Sequence, residues 1–135
     1  MDSVTLTAEE IHLAASHGLM RRFIKHKGMI KDRIQKEQSS WDNEIEGACA
    51  ELALCRYRGI FWSGASKFKG KDAGDVEVRW TKHVGTGGLI VYPHDDDGAV
   101  FILMDGFAPT YNIVGWLRGI EAKKPEYCFR LLIYF

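Results

Sequence analysis

The residues best suited to chemistry lie in KDAGDVEVRWTK, from Lys71 to Lys82. Asp75, Glu77 and Arg79 take alternate positions there, and Val76, Val78 and Trp80 fill those between. In a strand, successive side chains point to opposite faces, so one face carries two carboxylates and a guanidinium while the other packs a core. Carboxylates gathered in this way hold divalent cations. One or two magnesium ions polarise a phosphoryl oxygen and make water nucleophilic near neutral pH, and a cationic side chain beside them offsets charge developing in the transition state. Phosphodiester hydrolysis is the chemistry that suits such a set. The same residue types also make an ordinary solvated strand face.

Upstream, EIEGACAELALCRYRG places Glu51 among small and apolar residues. One turn away lie Gly47, Ala48, Leu54 and Cys55, with no basic partner among them, so Glu51 needs a partner from another element or a route to water. A helix carrying it begins near Trp41 to Asn43, with Asp42 or Asn43 as its cap, and stops at Gly59. The small residues Gly47, Ala48 and Ala50 let this helix approach a sheet closely. An earlier helix, from about Ala8 to about Lys25, opens on the capping box Thr7 to Glu10. Ile11, Ala14, Ala15, Gly18, Leu19, Arg22 and Phe23 follow at helical spacing.

From Phe61 onward the period changes. Val76–Lys82, Gly88–Tyr92, Ala99–Met104 and Tyr111–Leu117 read as strands, and the terminal CFRLLIYF as a further strand or a buried apolar end. The short connections Gly85–Gly88, Asp95–Gly98 and Asp105–Pro109 imply antiparallel neighbours. Helices followed by a strand meander predict an α+β domain with the helices packed on one face of a mainly antiparallel or mixed sheet. With 135 residues, 46% hydrophobic and 27% charged, the chain suits one domain with a single core. Residues 1–40 hold the first helix and a basic tract, and 41–135 the core domain.

The formal net charge is zero, so binding to nucleic acid does not follow from overall charge. Local clusters remain. Arg21, Arg22 and Lys25 open a basic tract that runs to Gln38, and Lys67, Lys69 and Lys71 precede the acidic strand. Either cluster reads as a solvated surface or as a phosphate contact. Cys49, Cys55 and Cys128 lack Cys-x-x-Cys spacing and read as reduced. No stretch is long and apolar enough to cross a bilayer, and the N-terminus has no signal-peptide pattern, which together predict a cytoplasmic protein without membrane association. The histidines lack the spacing of a zinc helix. His94 beside Asp95–Asp97 reads as a cation site or a polar turn. No phosphate-binding glycine loop is present, since Gly85–Gly88 joins two strands.

The helix Gly-Ala-x-Ala-Glu-x-Ala, the following Asp-x-Gly-x-x-Glu-Val-Arg and the later meander resemble the PD-(D/E)XK nuclease superfamily, and more narrowly its small tailed-bacteriophage members. The stretch GWLRGIEAKKPEY, Gly115 to Tyr127, is similar to that phage group. The resemblance spans roughly Glu44 to Tyr127 and implies an αβββαβ core. It also implies a metal-dependent nuclease acting on DNA or RNA in the host cytoplasm, with Mg2+ or Mn2+ as cofactor. Carried over, Glu51 matches the helix glutamate, Asp72 the motif aspartate and Glu77 the first member of the Glu-x-Lys pair. Arg79 falls where lysine is usual, and Asp75 is the alternative metal aspartate. Arginine stabilises a phosphate but is too basic to carry a proton, which leaves Lys82 or Lys123 to supply an amine. Nucleic-acid contacts are expected from Arg21, Arg22, Lys25, Lys67, Lys69, Lys82 and Lys123. The alternative is an inactive nuclease-fold protein that binds a host protein or nucleic acid. A third reading is a homodimer that covers an exposed sheet edge.

Overall fold

In this computed structural model the described residues are 2–27, 40–64 and 74–125, the side chains at 24–27 and 40 excepted. Their order is β1 (Asp2–Thr5), α1 (Ala8–Lys27), α2 (Ser40–Arg58), β2 (Val76–Thr81), β3 (Val100–Phe107), β4 (Thr110–Arg118) and α3 (Gly119–Ala122). The class is α+β, as expected. α1 starts and α2 stops where local chemistry directs, but α2 is already helical at Ser40, so Asp42 and Asn43 lie inside its first turn and do not cap it as expected. Glu10 N–H donates to Thr7 Oγ1 at 3.1 Å and Thr7 N–H to Glu10 Oε1 at 2.8 Å, closing the capping box. Gly59, at φ 69°, ends α2 in the left-handed conformation.

The sheet has strand order β1-β4-β3-β2. β1 was not foreseen: it is the four-residue edge strand Asp2–Thr5, antiparallel to β4. The expected meander also needs correcting, because β2 and β3 run parallel. The cause lies in residues 88–92, which alternate like a strand but join no ladder. The Ile90 carbonyl accepts instead from Arg79 Nε at 3.0 Å. With that segment outside the sheet, residues 82–99 form one long crossover, as a parallel pair requires. β3 and β4 are antiparallel as expected, and the register shift at Leu103/Met104 leaves Val114 as the extra residue of a bulge.

Burial follows strand alternation. On one face Val76, Val78, Met104, Tyr111 and Val4 pack with Ala48, Cys49, Ala50, Ala53 and Leu54 of α2. The small side chains of α2 let its axis lie close to the sheet, and α1 packs mainly on α2. The other face buries Phe101 and Leu103 beneath Leu89, Val91 and Ala122. Burial of each large apolar side chain contributes about 1.5–3 kcal/mol. CFRLLIYF lies outside the described residues.

Candidate functional site

Glu51 is buried on α2, and its partner comes from another element, α1. Arg21 Nη1 donates to Glu51 Oε2 at 2.9 Å and Arg21 Nη2 to Oε1 at 2.8 Å. The two side chains are 12% and 11% exposed, so this is a bidentate pair largely withdrawn from water. Trp62 Nε1 adds a third donor to Oε1 at 3.2 Å, and the Arg21 guanidinium lies 5.9 Å from the Trp62 ring centre. Arg21 Nη2 also reaches the Gly64 carbonyl at 3.2 Å. These contacts tie α1, α2 and the segment after α2 to one another, and both oxygens of Glu51 are engaged.

The strand residues lie elsewhere. Val76 and Val78 face α2, so alternation turns Glu77 and Arg79 to the opposite side, where their register partners are Phe101 and Leu103. Glu51 and Glu77 therefore flank the sheet from opposite faces. Glu77 is partly buried and has a partner of its own. Arg79 stacks 4.8 Å from the Phe101 ring centre and donates through Nη2 to Asp95 Oδ2 at 2.9 Å. Asp75 lies at the surface and accepts from Arg58 Nη1 at 2.8 Å. That hydrogen bond first, then the backbone and the Arg58 charge, hold its carboxyl below the usual range. Asp72 lies outside the described residues.

The acidic turn read as a separate feature is the partner of two of the expected site cations. Asp95 Oδ2 accepts from Arg79 and from the Tyr92 N–H at 2.7 Å. Partial burial alone would raise its carboxyl. The Tyr92 N–H and the Arg79 guanidinium outweigh that effect and hold it below the ordinary value. Lys123 Nζ donates to the carbonyls of Pro93 at 3.0 Å and Asp95 at 2.5 Å, and to Asp97 Oδ1 at 2.6 Å. Lys123 thus anchors the crossover to α3.

Of the remaining cations expected to meet nucleic acid, Arg22 is partly buried and engaged. Lys82 is exposed at the end of β2. The Lys25 side chain, Lys67 and Lys69 lie outside the described residues.

Two buried polar groups lie apart from the expected metal site. Asp105 is 2% exposed, accepting from Asn112 Nδ2 at 2.7 Å and from the Gly85 N–H at 2.8 Å. It read as a turn residue, but β3 continues through it to Phe107. Tyr111 donates to Glu46 Oε1 at 2.5 Å beside Cys49. Burial first, then the Glu46 hydrogen bond, push the phenol far above its ordinary value, and burial pushes up the Cys49 thiol. Neither the Tyr111 phenol nor the Cys49 thiol is poised to ionise.

Comparison with protein families, curated proteins and solved structures finds no match to this chain. Among the described residues, no group of three or more His, Cys, Asp or Glu side chains is placed to hold a metal ion. The described donors do not fit the metal that the resemblance implies. Glu51 faces a guanidinium, Glu77 lies across the sheet from it, and Asp75 is held by Arg58.

Proposed function

We propose that this chain is a non-catalytic binding protein on a scaffold of the PD-(D/E)XK type, and that its partner is a protein. The observation that carries this reading is the Arg21–Glu51 pair. The helix carboxylate that a nuclease of this type needs for its metal has both oxygens held by a guanidinium from within the fold. The order α2-β2-β3-β4-α3 agrees with the first five elements of an αβββαβ core, which supports the scaffold. A phage source and a cytoplasmic setting go with the resemblance and are proposed with it.

A protein partner is favoured over nucleic acid because Arg21 and Lys123 are engaged in internal ion pairs while large apolar side chains face water. Trp116 is 60% exposed and Ile120 51%, on β4 and α3. β1 pairs with β4 only over Thr110–Ile113, so among the described residues the outer edge of Gly115–Arg118 has no strand beside it. An exposed aromatic beside an open edge suits an extended segment of a partner. Affinity capture with the wild type and with Trp116→Asp tests this. A partner retained by the first and lost by the second supports the reading, and identical captures from both contradict it.

The second reading is the Mg2+- or Mn2+-dependent nuclease, with Glu51, Asp72, Asp75 and Glu77 as metal ligands and Arg79 on the phosphate. Its support is that Glu77 and Arg79 do share one face of β2. It requires Arg21 to release Glu51 and the carboxylates to meet from opposite sides of the sheet. A metal titration by calorimetry separates the two readings. The binding reading predicts no saturable Mg2+ or Mn2+ uptake, and uptake abolished by Glu51→Gln would overturn it.

A further inference from the structure

The end of β4 carries three features that the fold does not use. β1 ends opposite Ile113 and the bulge at Val114 breaks the ladder, so a strand added at the outer edge would begin a fresh pairing at Gly115. Trp116 and Arg118 lie opposite Ile102 and Val100 of β3, which pack toward α2, so both point to that side of the sheet. Both are exposed, and among the described residues Arg118 takes no ion pair. Gly115 and Leu117 point to the other side, opposite Leu103 and Phe101.

Gly115 is the odd residue of this set. Glycine weakens a strand interior, and it is kept where a bend or a close approach needs it. A Cβ placed on Gly115 would meet nothing within 4 Å among the described residues, so no close approach within the fold requires it. It leaves a notch flanked by Leu103 and Leu117, and an aromatic side chain on a neighbouring strand fills such a notch. We infer that the partner of this edge is an extended acidic segment that sets an apolar residue opposite Trp116, a carboxylate opposite Arg118 and an aromatic ring over Gly115. Cross-strand neighbours recognise one another by opposite charge and by apolar contact, while the added backbone pairs with the open edge. The inference rests on the protein-binding reading and gives that partner its chemistry.

The test is selection of random octapeptides, displayed on ribosomes, against the full chain and three variants whose folding is checked by circular dichroism. The wild type is expected to enrich peptides with an acidic residue two positions from an apolar one, and an aromatic residue next to the apolar one on the side away from the acid. Arg118→Glu should exchange the acidic position for lysine or arginine and weaken the peptides selected by the wild type roughly fivefold. Gly115→Val should fold at least as stably and lose the aromatic preference. A motif that neither change alters overturns the inference, and so does a wild type that enriches no motif. A motif abolished by Trp116→Asp but lacking the acidic position overturns the chemistry given to the partner and leaves the edge as the binding surface. Identical motifs from the wild type and Trp116→Asp overturn both.

Discussion

At the scale of single residues, the Arg21–Glu51 pair bears on stability and carries the proposed function. Two charges that give up most of their hydration are held by their mutual attraction and by the added donor from Trp62, and removing one strands the other. Arg21→Ala should therefore cost about 3–5 kcal/mol in urea denaturation. The double change Arg21→Met with Glu51→Leu should cost clearly less than the two single losses added together. Equal, additive losses would show that the pair is not coupled.

Asp95 gives a pH prediction. Its folded value is depressed, so its contribution is present above the unfolded value of about 3.9 and is lost as the pH falls through the lower folded value. Asp95→Asn should lower stability at neutral pH and flatten the fall in stability below about pH 4. An unchanged acid limb would contradict the Arg79–Asp95 linkage. The sequence left Glu51 either a partner from another element or a route to water, because its own helix offered no basic residue one turn away. It did not tell which, because the basic tract holding Arg21 read equally well as solvated surface, and only the packing of α1 on α2 brings the two together.

At the scale of elements, Gly18 is where the two long helices touch. A Cβ there would lie 2.7 Å from the Glu44 carbonyl oxygen and from Ile45 Cα, both backbone atoms that cannot move aside alone. In an open helix Gly→Ala gains about 1 kcal/mol of propensity. Here the clash reverses the sign, and Gly18→Ala should destabilise by about 1–3 kcal/mol in thermal or urea unfolding. A stabilised variant would mean that the helices are not in contact at this point. Both helices were legible in the sequence because caps and stops are local, as with Thr7, Glu10 and Gly59. The parallel β2–β3 pairing was not, because residues 88–92 alternate as a half-buried strand does. Alternation reports burial of Leu89 and Val91, and it is silent on whether the backbone joins a ladder. β1 escaped notice because four residues carry too little pattern.

At the scale of the whole molecule, what matters is which side of the sheet each group lies on. α2 with Glu51 covers one face, while Glu77, Arg79 and the acidic turn belong to the other, so charges that looked like one constellation along the chain are drawn into separate pairs, Arg21–Glu51, Arg58–Asp75 and Arg79–Asp95. Spacing along a strand fixes which residues share a face, as Glu77 and Arg79 do. It does not fix on which face a neighbouring helix will pack. Of the apolar side chains left in water, Trp116 and Ile120 at the end of the sheet are the ones proposed to meet a partner. The central claim, that this scaffold binds rather than cuts, is tested most directly by incubating the wild type beside Glu77→Ala with mixed DNA and RNA in Mg2+ and in Mn2+. The prediction is intact substrate with both proteins and both metals. Metal-dependent cleavage by the wild type that disappears in Glu77→Ala would contradict it.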